Sequence, residues 1–224
     1  MAKINTTLLH KGVSQYTGNP INVFLTESST NTKTGNIPQV NFLPEVKPTD
    51  ALKTGQDADV CGNCPLRPFL FNPETHDAPC YVLCGFAPNA IHRAKNKPLN
   101  DYSKLYDVIR IGAYGDGASC EKQALIKIVK LAKKVLNYTH AWSIKKFNFL
   151  KAFSMASVHS IEEKIKANSL GFRTFRTIKF ACSKLEANEI VCPNFVDNSI
   201  QCKTCKLCCG NQIKAKIDIV IPSH

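Results

Sequence analysis

Nine of the eleven cysteines in this chain fall into two tight groups near its opposite ends. The first is Cys61-Gly-Asn-Cys64-Pro followed by Cys80-Tyr-Val-Leu-Cys84. The second is Cys192-Pro followed by Cys202-Lys-Thr-Cys205-Lys-Leu-Cys208-Cys209. Thiolates two or three residues apart can converge on one metal ion or iron–sulfur cluster. Thiols this close in sequence are poorly placed to bridge one another without strain. The fold must therefore present two cysteine-built loops to metal, with the α/β sequence between them as scaffold.

The rest of the chain can supply that scaffold. Its 224 residues, 44% hydrophobic and 21% charged, suit one large domain rather than a disordered chain. Residues 1–10 hold no apolar run of signal-peptide length, and no stretch approaches the roughly 20 apolar residues of a membrane span. An odd cysteine count without a secretion signal predicts a reducing cytoplasm, metal rather than disulfides, and no membrane partner. The net charge of +12, from 29 Lys+Arg against 17 Asp+Glu, favours anionic partners such as nucleic acid or a nucleotide. Lysine greatly outnumbers arginine, however, so much of this charge serves only to solvate a surface.

Residues 1–55 read as a β-rich segment packed on a main α/β metal-binding domain, 56–224. Ile21–Leu25 and Gln39–Leu43 are short strand candidates around a Ser/Thr/Asn/Gly-rich loop. Four prolines break the first cysteine segment, so it must be loop-built. Val108–Gly112 suits a buried strand, and apolar spacing predicts a helix over 119–136. Ala152–Val158 reads as a strand, Ser160-Ile-Glu-Glu163 as a capping box opening a helix to Leu170, and Gly171 as its left-handed stop. Arg173–Phe180 and Ala215–Ile221 complete the strand set. Strand–helix–strand units with short links predict parallel pairing, in a partial (β/α) barrel or open parallel sheet with cysteine-rich metal-binding loops at both ends.

Ligands of parallel α/β folds bind beyond the carboxyl ends of the strands. Tyr114 and Asp116 follow the first such strand, His140 and Trp142 the next, and Ser157 and His159 the one after. Asp116, His140 and His159 are the candidates for proton transfer. Tyr114, Trp142 and Ser157 are candidates for substrate contact. Arg110, Arg173 and Arg176 could neutralise a phosphate or carboxylate, or else pair with buried acids. No nucleophile elbow, Walker loop or His-Glu-x-x-His string is present.

The first cysteine set has the spacing Cys-x2-Cys-x15-Cys-x3-Cys, close to a zinc ribbon. One reading is a zinc knuckle on Cys61, Cys64, Cys80 and Cys84. The other is a [4Fe–4S] cluster on Cys61, Cys64 and Cys80 with one iron open to substrate or S-adenosylmethionine. Spacing alone favours zinc. The second set, Cys202, Cys205 and Cys208 with remote Cys192, has the equal intervals of ferredoxin-type ligation and favours iron–sulfur. Cys120 and Cys182 read as small buried hydrophobes.

Taken together, Cys61-Gly-Asn-Cys64-Pro-Leu-Arg67, Cys80-Tyr81, Arg110-Ile-Gly-Ala-Tyr-Gly-Asp116, Tyr138-Thr-His-Ala-Trp142, Ala167–Arg176 and Cys202-Lys-Thr-Cys205-Lys-Leu-Cys208 resemble a family of bacteriophage proteins marked by cysteine motifs. The resemblance covers roughly residues 55–224. That family is distantly similar to phage three-cysteine-motif proteins and, through them, to radical-SAM enzymes with a partial (β/α) barrel. There an aromatic residue adjoins a cluster cysteine, as Tyr81 adjoins Cys80. The usual Cys-x3-Cys-x2-Cys string is absent here, so a cysteine-ligated cluster is implied more directly than S-adenosylmethionine binding. The resemblance implies an iron–sulfur, radical-SAM-like phage enzyme in the host cytoplasm, acting on an anionic nucleotide or nucleic-acid substrate. The alternative is a non-enzymatic zinc protein that binds nucleic acid or a host protein.

Overall fold

The computed structural model describes residues 6–74, 79–94, 97–98, 104–178 and 184–222. Along the chain lie β1 (Thr6–Val13), β2 (Pro20–Thr26), β3 (Gln39–Pro44), α1 (Pro48–Thr54), α2 (Ala58–Cys61), α3 (Ala87–Arg93), β4 (Lys97–Pro98) and β5 (Tyr106–Tyr114). Next come α4 (Lys122–Val129), β6 (Ala132–Leu136), β7 (Tyr138–Thr139), β8 (Met155–Val158), α5 (Ile161–Ser169) and β9 (Thr174–Ile178). The chain closes with β10 (Glu189–Val191), α6 (Pro193–Val196), α7 (Cys202–Cys205) and β11 (Asp218–Pro222).

Two mostly parallel sheets form the frame, in the orders β4-β1-β2-β3-β5-β6 and β10-β11-β9-β8-β7. Antiparallel pairing occurs only at β1–β2 and β2–β3 among the described residues. β3, β5 and β6 are parallel neighbours, as are β7, β8, β9, β11 and β10. Only Asn137 separates β6 from β7, so one strand path leaves the first sheet and enters the second. Its carbonyl accepts from Met155 N at 2.9 Å and its amide donates to Ser154 Oγ at 2.6 Å, fixing the crossing. The result is a mixed α/β molecule with no closed barrel.

Fully buried Val23, Val40, Phe42, Leu43, Ile109, Ile111 and Leu125 join the first sheet to α4 in one core. Each large side chain buried there contributes roughly 1.5–3 kcal/mol. β2 and β3 are strands of this sheet, with β3 paired to β5.

The helix expected over 119–136 is in fact α4 followed by β6. Ala132, Val135 and Leu136 are buried while Lys133 is exposed, a set that satisfies helical and extended spacing alike. Pairing beside β5 decides for the strand. Around α5 the sequence reading matches the structure closely. Ser160 Oγ accepts from Glu163 N at 3.1 Å, and Gly171 adopts φ 86°. Glu163 reaches back one residue farther than a standard box, accepting from His159 N at 2.7 Å. The strand expected before it is shorter than 152–158, because residues Lys145–Ala152 form a 3₁₀ segment. Phe180 and Cys182 lie outside the described residues.

Candidate functional site

A cavity of about 390 Å³ lies against the parallel strands and is lined by residues from both cysteine segments. That volume falls in the range of small-molecule sites, roughly 300–1,000 Å³. Cys61, Cys64 and Cys80 line it from one side, and Cys192, Cys202 and Cys208 from the other. All cysteines among the described residues are free thiols.

The first set is presented by a braced loop. α2 ends at Cys61, and Gly62 turns the chain at φ 55°, where a Cβ would stand 2.8 Å from the Tyr16 ring. Arg67 braces the loop beyond that turn: it forks onto Asp57 at 2.7 and 2.9 Å and donates to the carbonyls of Gly62 and Gly55 at 2.6 and 2.8 Å. Cys80 N donates to Leu66 O at 2.9 Å, closing the loop so that all three thiols face the cavity. Burial pushes the Cys64 thiol up to about 12 and raises Cys61 and Cys80 as well, so a metal held here would have to displace their protons. Cys84 is placed differently. It is 5% exposed, its Sγ contacts Val82 O at 3.7 Å, and it packs beside Tyr114 rather than lining the cavity.

The second set sits on short elements. Cys192 N donates to Val220 O at 2.7 Å, which hangs the residue from β11, and α7 carries Cys202 and Cys205. Arg173 donates to Leu207 O at 2.8 Å, Gly210 O at 2.9 Å and Ile217 O at 3.0 Å, tying this segment to β9. Cys208 is pushed up to about 12, chiefly by burial and then eased by the Tyr138 hydroxyl beside it. Cys209 turns into a separate apolar cluster with Ile37, Val108 and Leu136.

These sulfurs are not packed as for a single small ion. A tetrahedral zinc holds its thiolates about 2.3 Å from the metal, hence about 3.8 Å from one another. Among the described residues no three cysteine sulfurs lie within 4.8 Å of each other. Cys61, Cys64 and Cys80 still interact electrostatically, as do Cys192, Cys202, Cys205 and Cys208.

Of the strand-end candidates, Tyr114, Asp116, His140 and Ser157 line the same cavity, whereas His159 stands behind His140 and Trp142 is packed in the core and does not line it. Asp116, 6% exposed, accepts from Ala118 N at 2.9 Å, Thr139 Oγ1 at 3.0 Å and His140 N at 2.8 Å. Burial raises its pKa against those bonds, and its lone pairs serve to lock the β5 end to the β7 end. His140 and His159 stack at 5.2 Å with Nε2 atoms 3.0 Å apart, so the two rings can exchange a proton. His140 Nε2 also lies 3.7 Å from Cys64 Sγ, and His159 Nδ1 is 2.5 Å from Thr177 Oγ1. Ser157 lines the cavity, while its carbonyl accepts from Trp142 Nε1 at 3.0 Å. Tyr114 lines the wall next to Cys84.

The arginines separate. Arg176 forks onto Glu189 at 2.8 and 2.6 Å, and Arg173 holds the cysteine segment, so neither guanidinium lines the cavity. These two take the structural role that the sequence left open. Arg110 does line it and bonds the Tyr81 hydroxyl. Sequence reasoning missed Thr177, Tyr138, Lys33 and the anchor Arg67. Tyr138 and Thr177 occupy ordinary strand positions, and only Arg67, three residues beyond a cysteine in a loop, carried a signal.

No family model, curated protein or solved structure matches this chain. Among the described residues no helix is long and apolar enough to cross a membrane.

Proposed function

We propose that the protein is an iron–sulfur enzyme of radical-SAM-like type, acting on a small anionic substrate held between two cysteine-ligated centres. One observation carries this reading: both cysteine sets line a single cavity at the carboxyl ends of parallel strands. Two structural zinc knuckles would have no reason to share a ligand-sized cavity. The withdrawal of Cys84 from the cavity leaves three thiols, Cys61, Cys64 and Cys80, for the first centre. A cluster there would supply an open iron able to bind substrate or S-adenosylmethionine. Around it, His140 and His159 hold a movable proton, Asp116 orients His140, and the apolar walls limit water.

Anaerobic purification with metal analysis tests the proposal. Iron in excess of zinc, with visible charge-transfer absorbance, is the expected result, and S-adenosylmethionine should perturb the electron paramagnetic resonance spectrum of the reduced protein. Stoichiometric zinc alone would sink it and favour a zinc protein that binds nucleic acid or a host protein. His140→Ala, with metal content checked first, should retain the clusters and lose turnover.

A further inference from the structure

Among the described residues the three buried arginines come with acceptors matched to them. Arg67 has Asp57, Arg176 has Glu189, and Arg173 has the carbonyls of Leu207, Gly210 and Ile217. Half-buried Arg110, on β5, differs: it lines the cavity with a phenol as its hydrogen-bond partner, and its buried Nε has none. A guanidinium nitrogen withdrawn from water without an acceptor is costly unless a ligand oxygen joins it. The planar guanidinium fork matches the two oxygens of a carboxylate or phosphate.

The location narrows the ligand. Arg110 interacts electrostatically with Cys80 of the first set and with Cys202 of the second, and Lys33 already stands by Cys202. We propose that Arg110 is the seat of an oxyanion, a carboxylate or phosphate group on a small substrate, and that this group is held between the two cysteine sets. The inference rests on the cavity being the reaction site. Tyr81 extends the seat with its hydroxyl, and the aromatic walls Tyr138 and Phe175 accommodate the remainder of a small molecule rather than a polymer.

Titration calorimetry of the metal-loaded protein with inorganic phosphate and with acetate decides it. Saturable binding of phosphate points to a phosphorylated substrate, and of acetate to a carboxylate. Arg110→Gln should weaken that binding about tenfold or more, and Arg110→Lys by an intermediate factor. Wild-type protein provides a second measurement if the glutamine variant misfolds: the bound anion should protect Arg110 from phenylglyoxal, read by peptide mass spectrometry. No saturable binding, equal affinity in Arg110→Gln, or unprotected Arg110 would each overturn the proposal. Metal content on the same samples separates the two readings. Arg110-dependent binding by a zinc-only protein keeps the seat and sinks the iron–sulfur enzyme; iron-loaded protein without such binding does the reverse.

Discussion

The first cysteine segment reaches the cavity from α2 through a loop clamped by Arg67 onto Asp57 and two carbonyls. The second reaches it from β10 and β11 through one-turn helices, and Arg173 holds it through carbonyls alone. One segment thus has an ion pair buried in the protein, with Asp57 and Arg67 nearly inaccessible. The other has carbonyl acceptors for Arg173, an ion pair of Lys206 with Asp107 at 2.8 Å that is open to solvent, and a left-handed Lys206 at φ 56° in its middle. The difference sets which loop would lean on the proposed metal for its shape: the first has a buried ion-paired framework of its own, and the second is the one expected to need it.

The largest expected effect comes from the second loop. Cys205→Ser should give insoluble protein or a segment spanning 192–213 that exchanges and proteolyses freely, because the binding energy of a metal centre held by such a loop is folding energy for it. Cys64→Ser should lose the first centre while leaving a folded, soluble protein. Equal outcomes for the two variants, seen in metal content and thermal transition, would erase the comparison.

Removing the clamps gives the next effect. Arg67→Met strands buried Asp57 and should cost about 3–5 kcal/mol, with loss of the first centre. Arg173→Met removes hydrogen bonds to carbonyls and should cost less, about 1–3 kcal/mol, with loss of the second. Denaturant midpoints read the stability and metal analysis reads the centre. An inverted order would show that Arg173, not Arg67, is the stronger brace.

Much of this division was visible in the residues. Cysteine spacing marked both loops, strand–helix–strand order marked the parallel sheet, and the rim positions at Asp116, His140 and Ser157 followed from strand ends. What stayed hidden was tertiary. The helical spacing at Ala132–Leu136 could not reveal that the strand beside it claims those residues. Arg110, Arg173 and Arg176 look alike in sequence, and only the placement of Glu189 and of the 207–217 carbonyls separates two anchors from the cation that faces the cavity. Nor does spacing show that the two cysteine sets share a cavity, since about a hundred residues separate them and only the passage of one strand path between sheets brings them together.

Acid should act on the second region. β10, which leads into Cys192, is held by Glu189 on Arg176, and burial opposes while Arg176 favours the Glu189 charge, with a net lowering of its pKa. A lowered carboxylate pKa means stabilisation that is complete above the ordinary glutamate value of about 4.3 and lost as pH falls through the folded value. The wild type should therefore lose protection around residues 189–192 below about pH 4, and Glu189→Gln should show that loss already at neutral pH. Hydrogen exchange across the pH range checks this; an unchanged profile in the variant would remove the pair from the account.

The smallest effect bears on the chemistry most closely. If Cys84 were a fourth ligand, the first centre would be closed, and no iron would be left for substrate. Its Sγ instead faces Val82 O and Tyr114, within the apolar core under α3. Burial pushes its thiol up to about 11, as it raises the cavity thiols, so position rather than pKa sets Cys84 apart. Cys84→Ala should then cost only about 1 kcal/mol, the loss of one small buried group, and leave iron content unchanged. Cys80→Ala should abolish the first centre, because Cys80 lines the cavity and belongs to the three-thiol set. If both alanine variants lose iron alike, the first centre has four thiolates and the open coordination position disappears with it.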